Sequence, residues 1–498
     1  MQYLVNSRQM KEYDGNTIRK IGMPSLVLME RAAAATVEEI CKRFPPQRTL
    51  VLAGCGNNGG DGFAAGRILQ EYGYPVTFCL IGGRKKCSME TQTQIQILEA
   101  LGNEICEGLP EIEMEPFGVI LDALFGIGLS RALSDTFLRA VEYINSSGAH
   151  VVSVDIPSGI MADTGEVAGD AVKAELTVTY AYPKLGHYFY PGANYTGELI
   201  CRKIGISYRK GWEKPEAFCY EKADIAGIPA RSRDGNKGSF GKVLVIAGSQ
   251  KMYGACQFAA LGAYRIGAGL VRILTTEENR ELLLKAVPEA IVDTYGADEF
   301  PEEALQAAMN WAGCIVIGPG LGTSKTAEQI LKYVWKHAAV PLVVDADGLN
   351  LLAEWEDAPE PKVPVYLTPH LMEFSRLTKN SIKCCKEERI ETVKKYAAQH
   401  GVIMVSKDAR TIVADPKGVV YFNLSGNDGM ATGGSGDVLA GILGGLLGQG
   451  MQGISAAAMA VYLHGLAGNA ASAKKTAYSV MARDLLDELP EILARGGK

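Results

Sequence analysis

Short apolar runs alternate with longer stretches of helical periodicity along most of the chain, and many runs end in glycine-rich or polar segments. Strands that alternate with helices predict βαβ units and a mainly parallel sheet. In the first half we predict helices over 25–43 and 63–72 and strands over 49–53, 76–81, 119–122, 151–155 and, at a sheet edge, 198–204. In the second half we predict a helix over 254–267 and strands over 242–247, 270–274, 314–317, 341–345, 365–367 and 402–406. Both halves are therefore expected to be α/β.

The periodic pattern is interrupted between residues 207 and 237, where charges are frequent, apolar runs are few and Pro215 and Pro229 occur. A chain of 498 residues is also too long for one ordinary core. We therefore place a boundary near residue 215 and expect one domain over 1–214 and another over 215–498.

Composition excludes several classes of function. The 50 Lys and Arg against 56 Asp and Glu give a net charge of −6, so no basic excess points to nucleic acid or to an anionic membrane. The 11 cysteines are scattered without a CxxC pair, and the first residues lack the apolar core of a signal peptide, which favours a reduced cytoplasmic protein. Residues 438–473 carry no charge, but 449–453 splits them into halves that are each shorter than the about 20 residues of a membrane span. We expect two buried helices there.

The segment 431–441 has the strongest chemical signal. Its four glycines lead into an apolar run, and Asp437 stands where the loop becomes a helix. Glycine allows positive φ and close approach to a ligand, and the free N–H groups at a helix N-terminus favour an anion. A carboxylate there would repel a phosphate, but it makes sense as a base that takes a proton from a hydroxyl attacking that phosphate. The alternative is a glycine-rich turn with Asp437 as an ordinary first-turn residue.

A second signal lies in the first half. The strand 49–53 runs into the glycine-rich segment 54–62 and then a helix, which is the order of a phosphate-binding crossover, although two Asn and one Asp depart from the dinucleotide fingerprint. Ligands bind at the carboxyl ends of strands in open α/β sheets, and oxygen-bearing side chains there could hold a hard cation or a polyhydroxy ligand. The alternative is loop capping by Asp and Ser. The side chains in such positions are Asn58, Asp122, Asp155 and Ser158.

Several spaced motifs, in one order, give the chain a family resemblance over nearly its whole length. The first half resembles the NAD(P)H-hydrate epimerase domain, a Rossmann-like three-layer α/β/α sandwich, through GCGNNGGDG (54–62), DALFGIG (122–128) and DIPSG (155–159). The second half resembles the NAD(P)H-hydrate dehydratase domain, a ribokinase-like α/β/α fold, through NKGSFGKVLVIAGS (236–249), GPGLG (318–322), DADGLN (345–350), LTPHLMEF (367–374) and NDGMATGGSGD (427–437). Together the halves resemble a bifunctional family that repairs hydrated nicotinamide nucleotides.

The resemblance implies that the first domain interconverts the R and S forms of NADH or NADPH that carry an added hydroxyl on the nicotinamide ring. It implies that the hydrate is contacted by Asn57, Asn58, Gly59, Gly60 and Asp61, and that the dinucleotide follows Gly126, Ile127, Gly128, Leu129, Ser130, Arg131 and Ala132. It also implies a potassium ion held by Asn58, Asp122 and Ser158, with Asp155 as the acid/base group. An oxygen-rich site without Cys or His suits potassium better than a transition metal.

For the second domain the resemblance implies dehydration of the S form to NAD(P)H, with ADP or ATP as phosphoryl donor and ADP favoured by the bacterial likeness. Phosphorylation would turn a poor leaving group, hydroxide, into phosphate, with Asp437 as the base and N–H groups of 434–436 at the transferring phosphoryl group. The nucleotide would contact Lys407, Asp408, Ala409, Arg410, Thr411 and Gly436; the hydrate would contact Ala255, Gly320, His370 and Asp437; and Glu373 would hold magnesium through water.

Two departures from the family pattern qualify this reading. Asp408 replaces a usual Gly, and an acid beside a nucleotide phosphate weakens binding unless it points away; Leu371 and Met372 replace Pro-Gly. His187 and His464 belong to no motif, so we expect packing or surface roles for them. The alternative functions are a ribokinase-like vitamin-precursor kinase with an N-terminal dinucleotide-sensing domain, and a binding protein without chemistry. We expect a cytoplasmic homo-oligomer that binds small molecules and neither nucleic acid nor membranes.

Overall fold

The computed structural model describes residues 1–110, 116–215, 217–381 and 388–496. The chain divides into two compact units, one of Tyr3–Pro215 and one of Met1–Gln2 together with Glu216–Lys498. A short strand, Gln2–Leu4, opens the chain. Each unit contains a largely parallel sheet flanked by helices, so the predicted α/β class is confirmed in both.

The sheet of the first unit consists of parallel strands throughout its described length. In spatial order the strands are Ile105–Glu107, Val76–Leu80, Thr49–Ala53, Val119–Ala123, His150–Val154, Leu176–Tyr180 and Glu198–Arg202. The helices are Ser7–Asn16, Ser25–Arg43, Asn57–Glu71, Met89–Ala100 and Asp135–Ser146, with short turns at Thr17–Ile21, Arg84–Lys86, Leu185–His187 and Gly192–Asn194. Because helices cover both faces, the central strands are fully buried and mostly apolar, with the polar exceptions Thr49 and Asp122. The predicted Rossmann-like sandwich is confirmed, although the sequence pattern missed the strands Ile105–Glu107 and Leu176–Tyr180.

The glycine-rich segment 54–62 differs from the prediction of a loop. The helix begins at Asn57 and not at residue 63, so most of the segment forms the first turns of Asn57–Glu71. A Cβ on Gly62 would overlap the side chain of Ala123, at the end of a central strand. Glycine is therefore needed here for the close approach of helix and sheet, and the free N–H groups of the helix lie at the carboxyl edge of the strands.

The sheet of the second unit combines a parallel body with an antiparallel extension. In spatial order its strands from residue 217 onward are Ala217–Cys219, Val420–Phe422, Ile412–Ala414, Ile403–Ser406, Val365–Leu367, Leu342–Val344, Cys314–Ile317, Lys242–Ile246, Leu270–Thr276 and Ile291–Tyr295. The strand Ile412–Ala414 is antiparallel to both neighbours, and the strands from Ile403–Ser406 to Ile291–Tyr295 are parallel. The helices are Tyr253–Arg265, Arg280–Ala286, Glu302–Trp311, Lys325–His337, Asp347–Glu354, Leu371–Thr378, Arg389–His400, Ser435–Gly448, Gly453–Lys475 and Ala482–Gly496, with short turns at Lys222–Gly227, Glu277–Asn279, Asp428–Met430 and Ala477–Ser479.

The charge-free stretch 438–473 forms parts of two buried helices, Ser435–Gly448 and Gly453–Lys475, as predicted. A Cβ on Gly262 would lie 2.7 Å from the carbonyl oxygen of Val438, so Tyr253–Arg265 packs almost backbone to backbone against the first of them. Across the parts of the chain described, no helix has the length and apolar character needed to cross a membrane.

Candidate active sites

In the first unit the Asp122 carboxylate is fully buried and surrounded by hydrogen-bond donors. Its Oδ1 accepts from Ser158 Oγ at 2.6 Å and from the Leu124 N–H at 3.3 Å. Its Oδ2 accepts from Ser153 Oγ at 2.8 Å and from the Ser158 N–H at 2.9 Å. Burial raises the pKa of Asp122, and the hydrogen bonds from Ser158 oppose that rise. Because these bonds use the acceptor capacity of both oxygens, Asp122 can bind a cation only by exchanging one of them.

Asn58 lies beside the loop that Asp122 and Ser158 support. A Cβ on Gly126 would lie 3.1 Å from Asn58 Oδ1, and the preceding Phe125 N–H donates to Ser158 Oγ at 2.9 Å. The buried Nδ2 of Asn58 has no hydrogen-bond partner among the described residues. The structure therefore brings the three residues of the predicted potassium site to one edge of the sheet. Among the described residues no group of three or more His, Cys, Asp and Glu is arranged to hold a metal ion.

Asp155 is fixed by a buried lysine. Its backbone lies in the left-handed region, with φ 68°, and its Oδ1 accepts from Lys184 Nζ at 2.5 Å and from Thr179 Oγ1 at 2.9 Å. The Lys184 side chain is only 1% exposed, and Nζ also donates to Thr179 Oγ1 at 2.8 Å and to the Tyr180 carbonyl at 3.3 Å. Burial alone would raise the pKa of Asp155, but the Lys184 ammonium more than offsets it and holds that pKa below its usual value. Asp155 is therefore an ionised carboxylate in a fixed orientation.

His187 supports the same arrangement from the backbone. Its Nδ1 accepts from the Lys184 N–H at 3.1 Å, so Nε2 carries the proton and donates to the Asp155 carbonyl at 2.9 Å. Burial, with Lys184 second, lowers the pKa of His187 to about 4, which keeps the ring neutral at pH 7. From the sequence we expected only a packing or surface role for His187, and neither contact of this buried ring was predicted. Lys184 belongs to no sequence motif. The one available signal was a basic residue inside an apolar and aromatic segment.

The other predicted residues of this unit lie on the helix Asn57–Glu71 and in the segment that follows the strand Val119–Ala123. Asp61 is on the second turn of Asn57–Glu71. Burial and the charges of Asp155 and Asp14 raise its pKa well above the usual value. Asn57 is exposed at the helix start, whereas Gly59 and Gly60 are buried packing positions. In the predicted dinucleotide segment, Ile127 and Leu129 are partly buried and the exposed residues are Gly128, Ser130, Arg131 and Ala132.

In the second unit an ion pair joins the ends of three neighbouring strands. Asp345, Thr368 and Lys407 each follow one of these strands. The buried Asp345 Oδ1 accepts from Lys407 Nζ at 2.7 Å and from Thr368 Oγ1 at 2.7 Å. Burial alone would lower the pKa of Lys407, but Asp345 and then Glu373 hold it above its usual value. From the sequence, Lys407 was expected at the nucleotide and Asp345 had no predicted role, because their pairing depends on the order of strands in the sheet.

Asp437 lies at the edge of this ion pair, in the first turn of Ser435–Gly448. The helix is preceded by Gly434 in the left-handed conformation, with φ 89°, and a Cβ on Gly436 would lie 3.3 Å from Lys407 Nζ. Burial, and then Asp345, raises the pKa of Asp437 to about 7, although Lys407 opposes the rise. A carboxylate with this pKa, partly exposed beside free helix N–H groups, has the properties of a general base at neutral pH.

His464 contacts the start of the same helix. Its Nε2 lies 3.2 Å from Ser435 Oγ, and both residues are buried. Burial lowers the pKa of His464 to about 4, so the ring is neutral at pH 7. From the sequence we expected only a packing or surface role for His464, and this contact with the first residue of the helix was not predicted.

The loop after Cys314–Ile317 approaches the same edge of the sheet. Gly320 has φ 59°, and a Cβ there would lie 2.9 Å from Ala255 Cβ, so these two predicted pocket residues are neighbours. The Gly322 N–H donates to Asp347 Oδ2 at 2.8 Å, which ties this loop to the segment that carries Asp345.

His370 and Glu373 form a reciprocal cap at the start of Leu371–Thr378. His370 Nδ1 accepts from the N–H groups of Met372 and Glu373 at 3.1 and 3.3 Å, and Glu373 Oε2 accepts from the His370 N–H at 2.8 Å. Burial lowers the pKa of His370 and raises that of Glu373. One Glu373 oxygen is therefore committed to the cap, and Oε1 lies 3.3 Å from His370 Nε2. The helix begins at Leu371 and Met372 is exposed, so the departure from Pro-Gly leaves the cap intact.

Two family models match the chain. One, described as YjeF-related protein N-terminus, matches residues 25–186, and the other, described as NAD(P)H-hydrate dehydratase, matches residues 243–491. The bifunctional NAD(P)H-hydrate repair enzyme Nnr of Moorella thermoacetica is 35% identical, with 99% of this chain and 96% of the relative covered. That of Escherichia coli is 34% identical, with 95% and 90% covered. The chain belongs to the bifunctional NAD(P)H-hydrate repair enzyme family.

Solved structures agree with this family for the second unit. An ADP/ATP-dependent NAD(P)H-hydrate dehydratase from Bacillus subtilis, co-crystallised with ATP and Mg²⁺, has a TM-score of 0.51 and 33% identity over 56% of this chain and 98% of its own. A ribokinase-like superfamily protein from Enterococcus faecalis has a TM-score of 0.52 and 32% identity over 58% of this chain and 99% of its own. The predicted ribokinase-like fold is confirmed.

Asp408 departs from the pattern of this repair enzyme family, and the structure shows how its charge is balanced. Asp408 Oδ2 accepts from Arg389 Nη1 at 3.0 Å. The buried Arg389 also donates to Ser406 Oγ at 3.1 Å, to the Ser406 carbonyl at 2.5 Å and to the Arg410 carbonyl at 2.9 Å. The acid is therefore neutralised within the predicted nucleotide loop, in which Ala409 is exposed and Thr411 is buried.

Proposed function

We propose that this chain repairs hydrated NADH and NADPH in two steps. Domain 1–214 would interconvert the R and S hydrates, and domain 215–498 would dehydrate the S form to NAD(P)H with ADP or ATP. The two family matches and the full-length relatives support both activities. The observation that carries the dehydratase assignment is Asp437, a carboxylate with a pKa of about 7 at the mouth of a glycine-rich helix N-terminus.

The dehydratase step overcomes the poor leaving ability of hydroxide. Asp437 takes the proton of the hydrate's hydroxyl, whose oxygen then attacks the terminal phosphorus of the nucleotide. The bond from that phosphorus to the bridging oxygen breaks, and AMP leaves from ADP, or ADP from ATP. The N–H groups of 434–436 would hold the transferring phosphoryl group, the Ser435 N–H by exchanging its 3.4 Å bond to the Thr432 carbonyl. Lys407 stands beside them to balance the phosphoryl charge. Phosphate then leaves with the help of the ring nitrogen lone pair, and loss of a ring proton restores the reduced nicotinamide. Ala255, Gly320 and His370 would line the hydrate pocket.

Two cations belong to the proposal. Magnesium would neutralise phosphate charge, with Glu373 as a water-mediated contact because Oε2 is occupied by the helix cap. Potassium fits the oxygen donors Asn58, Ser158 and Asp122 better than a transition metal does. The saturated hydrogen bonding of Asp122 means that this carboxylate would mainly hold Ser158 in place. In the same domain, Asn57 to Asp61 and Gly126 to Ala132 would receive the dinucleotide, and Asp155 would act in proton transfer.

The decisive experiment supplies hydrated NADH with magnesium and either ADP or ATP and follows the near-ultraviolet absorbance of NADH. Recovery of absorbance with one nucleotide and none without nucleotide is expected, and the faster nucleotide identifies the donor. A stable phosphorylated product without recovery of NADH would instead establish the small-molecule kinase. Asp155→Ala should abolish R/S exchange and leave dehydration of the S hydrate intact.

We also propose a cytoplasmic homo-oligomer. The cysteines of the described residues are free thiols, which agrees with a reducing compartment; Cys384 and Cys385 lie outside the described residues. Light scattering of the purified protein at several concentrations tests the assembly, and a constant monomer mass would contradict it.

A further inference from the structure

Asp155 and Asp61 lie close enough at the carboxyl edge of the first sheet to interact electrostatically, and of the two only Asp155 is bonded to a cation. Lys184 Nζ lies 2.5 Å from Asp155 Oδ1. For Asp61, the electrostatic neighbours are Asp155, Asp14 and, opposing them, Lys184. One lysine is therefore shared unequally between two nearby carboxylates, and this inequality separates their proton affinities.

The hydrogen bonds to the Asp155 carboxylate leave Oδ2 available to accept a proton. Among the described residues, the donors to this carboxylate, Lys184 Nζ and Thr179 Oγ1, both go to Oδ1. The strained backbone of Asp155 is held at both sides, because its N–H donates to the Val178 carbonyl at 2.8 Å and its carbonyl accepts from His187. Oδ2 is thus presented in a fixed direction by a residue whose rotation is blocked.

The other titratable groups around the pair are uncharged or acidic. His187 has a pKa lowered to about 4 by burial, and Cys201 has a pKa raised to about 11 by burial, so both are neutral at pH 7. Burial also raises the pKa of Tyr180, whose hydroxyl lies 2.5 Å from Thr36 Oγ1. Asp14, with a pKa raised by burial, adds to the field that disfavours the charge of Asp61.

We propose, on the basis of the epimerase function proposed above, that Asp155 is the base and Asp61 the acid of R/S exchange. Lys184 is the positioning residue that decides which of the two carboxylates is the base. Lys184 itself is too deeply buried to touch the substrate.

The step balances within this pair. The hydroxyl of the hydrate is on a ring carbon bonded to the ring nitrogen. Asp155 takes the hydroxyl proton, the carbon–oxygen double bond forms, the carbon–nitrogen bond breaks, and the nitrogen receives a proton from Asp61. Rotation of the freed aldehyde exposes its other face, and reclosure returns both protons with the opposite configuration. No oxidant, reductant or nucleotide is consumed. The hydroxyl oxygen stays bonded to its carbon throughout, so this step does not lead to NADH, which fits a second domain devoted to dehydration.

The test measures R/S exchange by separating the two hydrates without nucleotide, so that the dehydratase is idle, and records kcat/KM against pH. In Lys184→Met the acid limb of the profile should move up by about one to three pH units, because loss of a neighbouring opposite charge raises a carboxyl pKa by that amount. Lys173→Met removes an exposed lysine of the same unit and should leave the limb in place. Asp61→Asn should lower the rate by about 10²- to 10⁴-fold, and Asp14→Asn by less than about tenfold.

If Lys184→Met does not fold, Thr179→Val removes only the hydroxyl that donates to Asp155 and should move the acid limb in the same direction by a smaller amount. The inference is wrong if the acid limb of the folded lysine or threonine variant stays at the wild-type pH. It is also wrong if Asp61→Asn and Asp14→Asn exchange R and S hydrates at the same rate. Either result leaves the proposed epimerase function intact. If the wild-type protein does not exchange R and S hydrates, both this inference and the proposed epimerase function are wrong.

Discussion

The two units place the same electrostatic device at the carboxyl edges of their sheets. Each sets an aspartate at a strand end beside a lysine, at 2.5 Å in the first unit and 2.7 Å in the second. Each then places a second carboxylate, Asp61 or Asp437, on the helix that follows a glycine-rich segment. In both units the pKa of the second carboxylate is raised, since burial and the first aspartate disfavour its charge.

The two second carboxylates differ in their position on the helix. Burial raises the pKa of Asp437 to about 7, and burial also raises the pKa of Asp61 well above its usual value. Asp437 is in the first turn of Ser435–Gly448, but Asp61 is in the second turn of Asn57–Glu71. The positive end of a helix favours a carboxylate and fades beyond the first turn. The N-terminus of its helix therefore favours the ionised form of Asp437 more than that of Asp61.

The largest effect is expected from Asp437→Asn. Dehydration should fall by about 10²- to 10⁴-fold, because the general base is lost, while R/S exchange continues at the wild-type rate. The folded state already disfavours the charge of Asp437, so the variant should be at least as stable as the wild type in urea at pH 8. Asp298→Asn, an exposed acid of the same unit, is the matched control. Loss of both activities would break the division of labour between the units.

Lys407→Met should have the next largest effect. Removing one partner of the pair with Asp345 should lower the free energy of unfolding by about 3 kcal/mol and reduce dehydration by about 10- to 100-fold through the lost phosphate contact. Lys407 lowers the pKa of Asp437, so its removal should raise that pKa above 7 and leave the base protonated at neutral pH. Urea unfolding and a pH profile of dehydration test both effects. Lys285→Met, at an exposed site, should change neither.

Elements with a clear local sequence pattern could be predicted, and elements that depend on contacts between distant segments could not. Central strands such as Cys314–Ile317 were predicted because burial on both faces leaves a continuous apolar run. Ile412–Ala414 and Val420–Phe422 were missed because they belong to the antiparallel extension, where strand follows strand without the intervening helix that marks a βαβ unit. The helix start at Asn57 was missed because glycines lower helix propensity, and close packing on the sheet overrides that cost.

The candidate sites show the same limit. Residues within motifs, such as Asp437, could be named because local backbone chemistry gives them meaning. The pairing of Lys184 with Asp155 could not, since it depends on Leu176–Tyr180, a strand that the pattern did not predict, and on a turn that folds back over 29 positions of sequence. Counter-ions that set a pKa come from such distant segments, so the sequence indicated the reacting groups more readily than their protonation states.

Dehydration and R/S exchange should depend differently on pH, and we expect this difference to be of moderate size. Asp437 must be ionised to act as a base, so with its pKa of about 7 dehydration should be half-maximal near that pH and roughly tenfold below its plateau one unit lower. The pKa of Asp155 is held below its usual value, so R/S exchange should stay near its maximum over the same interval. Both rates should be measured at constant magnesium and potassium. A shared acid limb near neutrality would remove the distinction drawn between the two units.

The smallest effect is expected from Asp408→Gly, which restores the usual family residue. Asp408 is neutralised by the buried Arg389, so removing it should change the KM for nucleotide by less than about threefold. The Asp408 side chain is 29% exposed, and the pair should contribute no more than about 1 kcal/mol to the free energy of unfolding. Asp408→Asn, which keeps a partner for Arg389, should lie between the wild type and the glycine variant in stability. A fall of tenfold or more in KM would show that the carboxylate repels the nucleotide. In that case Arg389 would orient the loop without cancelling its charge, unlike the lysines that balance Asp155 and Asp345.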